Sequence, residues 1–205
     1  LKNHLPDVRV EVIGNVVPQY EEQADLRRKK EKYKIVFVGR MVRNHKRPHL
    51  LIEAFIKIAA EFPDWTLELW GAEDNKRYQK DLQAMIDAAG LAERILFCGT
   101  TTDVPAVLAA ADLCVAPSAY EGFSLAHTEA MSMGLPLIGY KNCVSVNELI
   151  YDGVNGLLAD DGADGLAEKM ALLMRDRDLR VKMGMAARES MRVYAPENIW
   201  AQWEE

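Results

Sequence analysis

Between Tyr33 and Leu158, short unbroken apolar runs alternate with segments of helical pattern, and this alternation admits few folds. Residues 35–38, 66–70, 95–98, 113–116, 135–138 and 156–158 read as strands. Residues 49–62 read as a helix, with Leu51, Phe55, Ile58 and Phe62 on one face. Pro48 suits its first turn. Further helices are expected over 76–89, 104–110, 123–133, 146–150, 165–174, 178–194 and 196–203, with Gly90 and Gly134 as stop signals. Strands that are apolar throughout are buried on both faces. Short connections through helices make neighbouring strands parallel. The expected fold class is therefore α/β, a parallel β-sheet flanked by helices. Such sheets bind ligands at the carboxyl ends of their strands. Gly39, Arg40, Gly71, Gly99 and Glu121 all fall just past a strand end. Ahead of this pattern, residues 8–13 read as one more strand, and the charged stretch 19–32 as a solvated short helix or loop.

Composition excludes several classes. Net charge −6 argues against nonspecific nucleic-acid binding and against a polybasic membrane surface. No run of 18 apolar residues is present to form a membrane-spanning helix. The three cysteines have no CxxC spacing and read as reduced cytosolic thiols, Cys98 and Cys114 in the core and Cys143 in an accessible turn. The chain opens on Leu1 with neither an initiator methionine nor a signal peptide, and reads as a fragment of a longer protein. GxxxxGK[ST], GxGxxG after a strand, a zinc-spaced Cys/His set and an acidic metal cage are all missing from the sequence.

Two segments carry chemistry. Glu121 and Glu129 stand eight residues apart, with a helix start expected between them. A helical rise of 1.5 Å per residue makes that about 12 Å, the length of a ligand with a sugar at one end and a ribose at the other. The amides of Gly122, Phe123, Ser124 and Leu125 would offer a diphosphate a helix N-terminus. Glu121 alone is equally explained as a favourable charge at that N-terminus. Glu129 is harder to explain structurally, because its helical neighbours Leu125, Ala126, Ser132 and Met133 offer no cation. His127, mid-helix, reads as a packed or hydrogen-bonded residue.

The second segment places Arg40, Arg43, Lys46 and Arg47 before a helix, the wrong end for positive charge. Arg43 and Arg47 read as solvated. Arg40 and Lys46 read as phosphate contacts, since a diphosphate would satisfy dipole and side chains together. His45 and His49 read as surface residues.

This ordered set resembles the retaining glycosyltransferases of family four: Gly39-Arg40, Lys46 six residues on, then Glu121-Gly-Phe-Ser with Glu129. Leu51-Ile-Glu-Ala-Phe55, Pro117-Ser118, Gly134-Leu-Pro136, Asn147-Glu-Leu-Ile150 and Asp152-Gly-Val-Asn-Gly156 extend the likeness over nearly the whole chain. The resemblance implies the C-terminal, Rossmann-like half of a GT-B fold. It divides the chain into an interdomain linker over 1–32, a nucleotide-sugar-binding domain over 33–190 and a crossover helix over 191–205.

Roles follow from the resemblance residue by residue. Arg40 and Lys46 would stabilise the leaving diphosphate, and Glu121 would contact the donor hexose. Gly39, Gly122, Phe123, Ser124 and Leu125 would support sugar and phosphate. Glu129 would accept hydrogen bonds from the ribose hydroxyls, and Gly71, Gly99 and Thr100 would flank the base. No metal cofactor is implied, and a UDP-sugar is favoured over a GDP-sugar. Implied partners are an N-terminal acceptor domain of the same chain and a glycan or glycolipid acceptor, as in polysaccharide or lipopolysaccharide synthesis. The implied location is cytoplasmic, peripheral at the inner face of the membrane through that other domain only. The segment 141–146 lacks the Gly-Gly common before the later glutamate of this family, which leaves Glu148 a structural reading. Two alternatives stay open. One is a nucleotide-sugar epimerase or a sugar phosphorylase of the same fold, although no convincing pyridoxal-binding lysine is present. The other is a non-catalytic partner-binding module.

Overall fold

The computed structural model describes residues 11–204. Six strands form one parallel sheet: β1 (Tyr33–Val38), β2 (Trp65–Trp70), β3 (Ile95–Gly99), β4 (Leu113–Ala116), β5 (Leu137–Tyr140) and β6 (Gly156–Ala159). Their spatial order is β3-β2-β1-β4-β5-β6, and every pairing is parallel. The expected α/β class is therefore observed. The strands are buried as their composition demands: all four residues of β4 and all four of β5 lie in the core.

The chain moves from β1 outward to β3, then returns to β4 beside β1 and moves outward the other way. Right-handed crossovers then put α1 (Pro48–Ile58) and α2 (Lys76–Ala88) on one face. They put α3 (Val104–Ala109), α4 (Leu125–Ser132) and α5 (Val144–Leu149) on the other. The helices after β6 cover both faces: α6 (Ala163–Arg175) packs on α1, and α7 (Arg177–Ser190) packs on α4. A short helix α8 (Pro196–Glu204) closes the described chain. The reversal between β1 and β4 is the switch point where such sheets open a ligand crevice at their carboxyl edge.

Two buried features hold the frame. Leu51, Ile52 and Phe55 of α1 are fully buried, and each such side chain contributes about 1.5–3 kcal/mol by leaving water. Arg180 of α7 is 2% exposed and closes the C-terminus of α6 by donating to the carbonyls of Leu173 and Met174. Its guanidinium stacks over Trp65 at 4.9 Å and Tyr33 at 5.3 Å.

Several expectations are corrected. The fifth strand begins at Leu137 rather than at 135, because Leu135 donates its amide to Ala130 in the turn that ends α4. The fourth helix begins at Leu125 rather than at 123, so Glu121 lies before it and the helical-rise estimate does not span the carboxylates. Of the strand expected over 8–13, residues 8–10 lie outside the described residues and 11–13 are not in a strand. The stretch 19–32 is a loop, but it is anchored: Leu26 is buried, and the Ala24 amide donates to Met133. Cys143 is buried rather than accessible, while Cys98 is half-exposed. Among the described residues, no helix is long and apolar enough to cross a membrane.

Candidate functional site

Three glycines let the strand ends lie side by side. The Gly39 amide donates to Trp70 at 2.8 Å, and the Gly71 amide donates to Gly99 at 2.7 Å. Gly71 has φ +146°, and a Cβ there would stand 2.0 Å from the Gly39 carbonyl oxygen, so only glycine fits. Thr100 follows, exposed, at the same edge.

Beyond Gly39 the basic loop folds back toward the end of β4. The Ala119 amide donates to His45 at 2.8 Å, which joins this loop to the one carrying Glu121. Lys46 Nζ then donates to Glu121 Oε1 at 2.5 Å. Both side chains are mostly buried, at 15% and 7% exposure. Residues 75 positions apart in sequence thus form one ion pair at the switch point. Arg40 is exposed at the mouth and makes no ion pair among the described residues.

Burial alone would raise the Glu121 carboxyl. The hydrogen bond from Lys46, together with smaller favourable effects of its neighbours, offsets burial and holds the group below the usual carboxylate range. The nearby Ser118 hydroxyl acts in the same direction, but its alignment falls short of a hydrogen bond, so Lys46 is the larger effect. His45 Nε2 lies 3.8 Å from the other carboxylate oxygen, and its ring stacks on exposed Tyr120 at 4.3 Å. His127 of α4 is 2% exposed, and burial drives its imidazole down to about 4, with Glu121 opposing and Lys46 adding to the fall. Among the described residues, three buried polar atoms around Glu121 find no hydrogen-bond partner: His45 Nε2, Ser118 Oγ and His127 Nδ1. Buried polar atoms are rarely left unpaired, and a polyhydroxylated ligand supplies donors and acceptors of this kind.

The connection from Glu121 runs through Gly122 and Phe123 into α4. Phe123 packs edge-on against Tyr194 at 5.3 Å, and Leu125 is exposed. Ser124 is the N-cap residue, but its side chain caps no amide. The first-turn amides that the helix leaves unused are therefore open to an anion. Glu129 sits one turn further, half-buried, with its carboxyl raised by burial and no ion pair among the described residues. Tyr20 lies near enough to Glu129 for the charge to raise its phenol, although burial does more.

Of four residues in and beside this loop, Arg43 is exposed as expected, while His45, His49 and Arg47 are held more tightly than a surface reading implies. Arg43 pairs with Asp81 at 3.0 Å and stacks on Tyr78 at 4.6 Å. His49 Nδ1 shares a 2.7 Å hydrogen bond with the Tyr78 hydroxyl, and His45 packs as described. Arg47 is the most constrained of the four. It adopts φ 49° and ψ 45°, the one positive φ at a non-glycine among the described residues. That conformation costs an L-residue about 1–2 kcal/mol. Its guanidinium donates to the carbonyls of Pro117 at 2.9 Å and Ser118 at 3.3 Å, pairs with Asp161 at 2.9 Å, and stacks on Tyr140 at 4.6 Å. The one hint in the sequence was its position immediately after Lys46 and before a helix-starting proline.

Comparison with known proteins adds to this geometry. The lipopolysaccharide core biosynthesis mannosyltransferase LpsB of Rhizobium meliloti is 32% identical over 141 residues, 66% of this chain and 40% of that protein. The structure of a point mutant of S. aureus TarM, in complex with Fondaparinux, alpha-GlcNAc-glycerol and UDP, superposes with a TM-score of 0.84. It is 25% identical, and the match covers 98% of this chain and 41% of that one. The C-terminal domain of the glycosyl transferase group 1 family protein LpcC from Francisella tularensis superposes with a TM-score of 0.76 at 29% identity. That match covers 88% of this chain and 97% of that domain. The chain spans between 20% and 49% of the length of the curated relatives it matches. The family model for glycosyl transferases group 1 matches residues 18–190, and the chain belongs to that family.

Proposed function

We propose that this chain is the donor-binding half of a retaining hexosyltransferase, and that an acceptor-binding half precedes it in a longer protein. The observation that carries the proposal is the Lys46–Glu121 pair at the switch point, next to the open N-terminus of α4 and Glu129, which makes no ion pair among the described residues.

In this reading the ion pair is the resting arrangement. A nucleoside diphosphate-sugar brings two negative phosphates to Arg40, Lys46 and the first-turn amides of α4. Lys46 exchanges Glu121 for phosphate, and Glu121 is released to accept hydrogen bonds from hexose hydroxyls. As the glycosidic bond breaks, charge grows on the departing diphosphate, and cations already in place stabilise it without rearranging. Such preorganised groups are worth about 10²–10³ in rate each. Glu129 accepts hydrogen bonds from the ribose hydroxyls, and the edge formed by Gly71, Gly99 and Thr100 flanks the base. UDP is the favoured nucleotide, supported by the UDP present with TarM. A lipopolysaccharide-type glycan or glycolipid acceptor is supported by the role of LpsB. Location at the inner face of a membrane belongs to the same proposal.

The test is a transfer assay on the full-length protein with UDP-, GDP- and ADP-hexoses and membrane-derived glycolipid acceptors. A product with the donor's anomeric configuration supports the proposal. Inversion, or epimerised nucleotide-sugar in place of transfer, overturns it. The isolated chain is expected to bind donor and to transfer little sugar, and transfer at the full-length rate would contradict the division of labour.

A further inference from the structure

Resting on that reading of the site, we propose that Arg47 is a positioning residue: it fastens the loop carrying Lys46 to the carboxyl ends of β4, β5 and β6, and so sets where Lys46 meets Glu121.

The four contacts of its guanidinium fall on three different strand ends. Pro117 and Ser118 follow β4 and lead into Glu121. Tyr140 is the last residue of β5, and its hydroxyl donates to Gly162 at 3.1 Å. Asp161 lies between β6 and α6. The planar fork of an arginine can reach two carbonyls and a carboxylate while stacking on a ring, and a lysine cannot. The backbone indicates the same role. A non-glycine residue held in the left-handed region persists only where its surroundings over-determine it, and such outliers cluster at functional sites. Here the strained residue separates Lys46 from the first residue of α1, and its N–H donates back to Val42 at 2.9 Å, closing the basic loop on itself. Lys46 therefore extends from a segment fixed at both ends. Freed from the brace, the loop would keep its charges but lose the register between ammonium, carboxylate and helix N-terminus.

The experiment is steady-state transfer by the full-length protein carrying Arg47→Lys, alone and combined with Lys46→Met, with thermal unfolding measured alongside. Displacement of a reacting group by about an ångström costs on the order of 100-fold, so Arg47→Lys is expected to lower kcat/KM by about 10- to 100-fold. The loss should appear in kcat as well as in KM, at temperatures where the variant stays folded. In the Lys46→Met background the same substitution should change the residual rate very little, because the group it positions is gone. Should Arg47→Lys not fold, Asp161→Asn removes one half-exposed anchor and is read the same way, with an expected loss of about 2- to 5-fold. Unchanged kinetics, or the same factor lost in both backgrounds, would overturn the positioning role and leave a stabilising one. A wild-type protein that neither binds a nucleoside diphosphate nor transfers sugar would instead overturn the donor-site reading, and this inference with it.

Discussion

The buried His127 makes the fold sensitive to mild acid in a way that can be isolated. Its imidazole titrates at about 4 in the folded protein against an ordinary value of 6.5. The folded state thus binds fewer protons than the unfolded state between those values, and stability is lost as pH falls. From the two values the loss attributable to His127 is about 2 kcal/mol at pH 5 and about 3 kcal/mol at pH 4, relative to neutral pH. Glu121, held below its usual range, also loses stability on acidification, but its loss is concentrated below the ordinary carboxylate value. Glu129 acts oppositely: its carboxyl is raised, so its protonation favours the fold as pH falls. The assay is urea unfolding of wild type and His127→Gln at pH 7, 6 and 5. The variant should start less stable and decline less, so that the gap between the two narrows by about 2 kcal/mol at pH 5. Parallel profiles would show that His127 is not held neutral by burial.

Further substitutions test the site and its frame. Gly71→Ala must push a methyl into the Gly39 carbonyl at an unfavourable φ, and should destabilise the fold by about 2–4 kcal/mol in urea unfolding. A loss below about 0.5 kcal/mol would mean that the strand ends separate freely. Lys46→Ala should lower the transfer rate of the full-length protein by about 10²–10³ while leaving Glu121 buried without its cation. Its Glu121 carboxyl should then titrate higher, which carbon-detected NMR can follow. An unchanged carboxyl titration would show that Lys46 is not what holds it low.

The sheet was legible because its signal is redundant. Unbroken apolar runs such as the one ending at Ala116 mean burial on both faces, and burial on both faces means a parallel sheet. Boundaries were less legible where local pattern and tertiary contact disagree. Pro136 precedes β5 in an apolar run, and only the turn after α4 decides where pairing begins. Within the site, Arg40, Lys46, Glu121 and Glu129 carry motif spacing and could be named from the sequence. Arg47, His45 and His127 carry none. Their surroundings depend on which strand ends become neighbours, and helical or strand periodicity does not encode that order. Arg43 and Arg47 sit among the same charged residues, yet Arg43 pairs within its own side of the sheet and Arg47 spans the switch point.

On the proposed reading, Arg40, Lys46, Glu121 and Glu129 form a nucleotide-sugar donor site. Calorimetric titration of the full-length protein with UDP, GDP and ADP, repeated on Glu129→Ala, tests it most directly. One nucleotide should bind clearly. The substitution should weaken it by about 10- to 100-fold, the worth of hydrogen bonds to an ionised carboxylate. Binding by none of the three to a folded protein, or binding indifferent to the loss of Glu129, would contradict the claim.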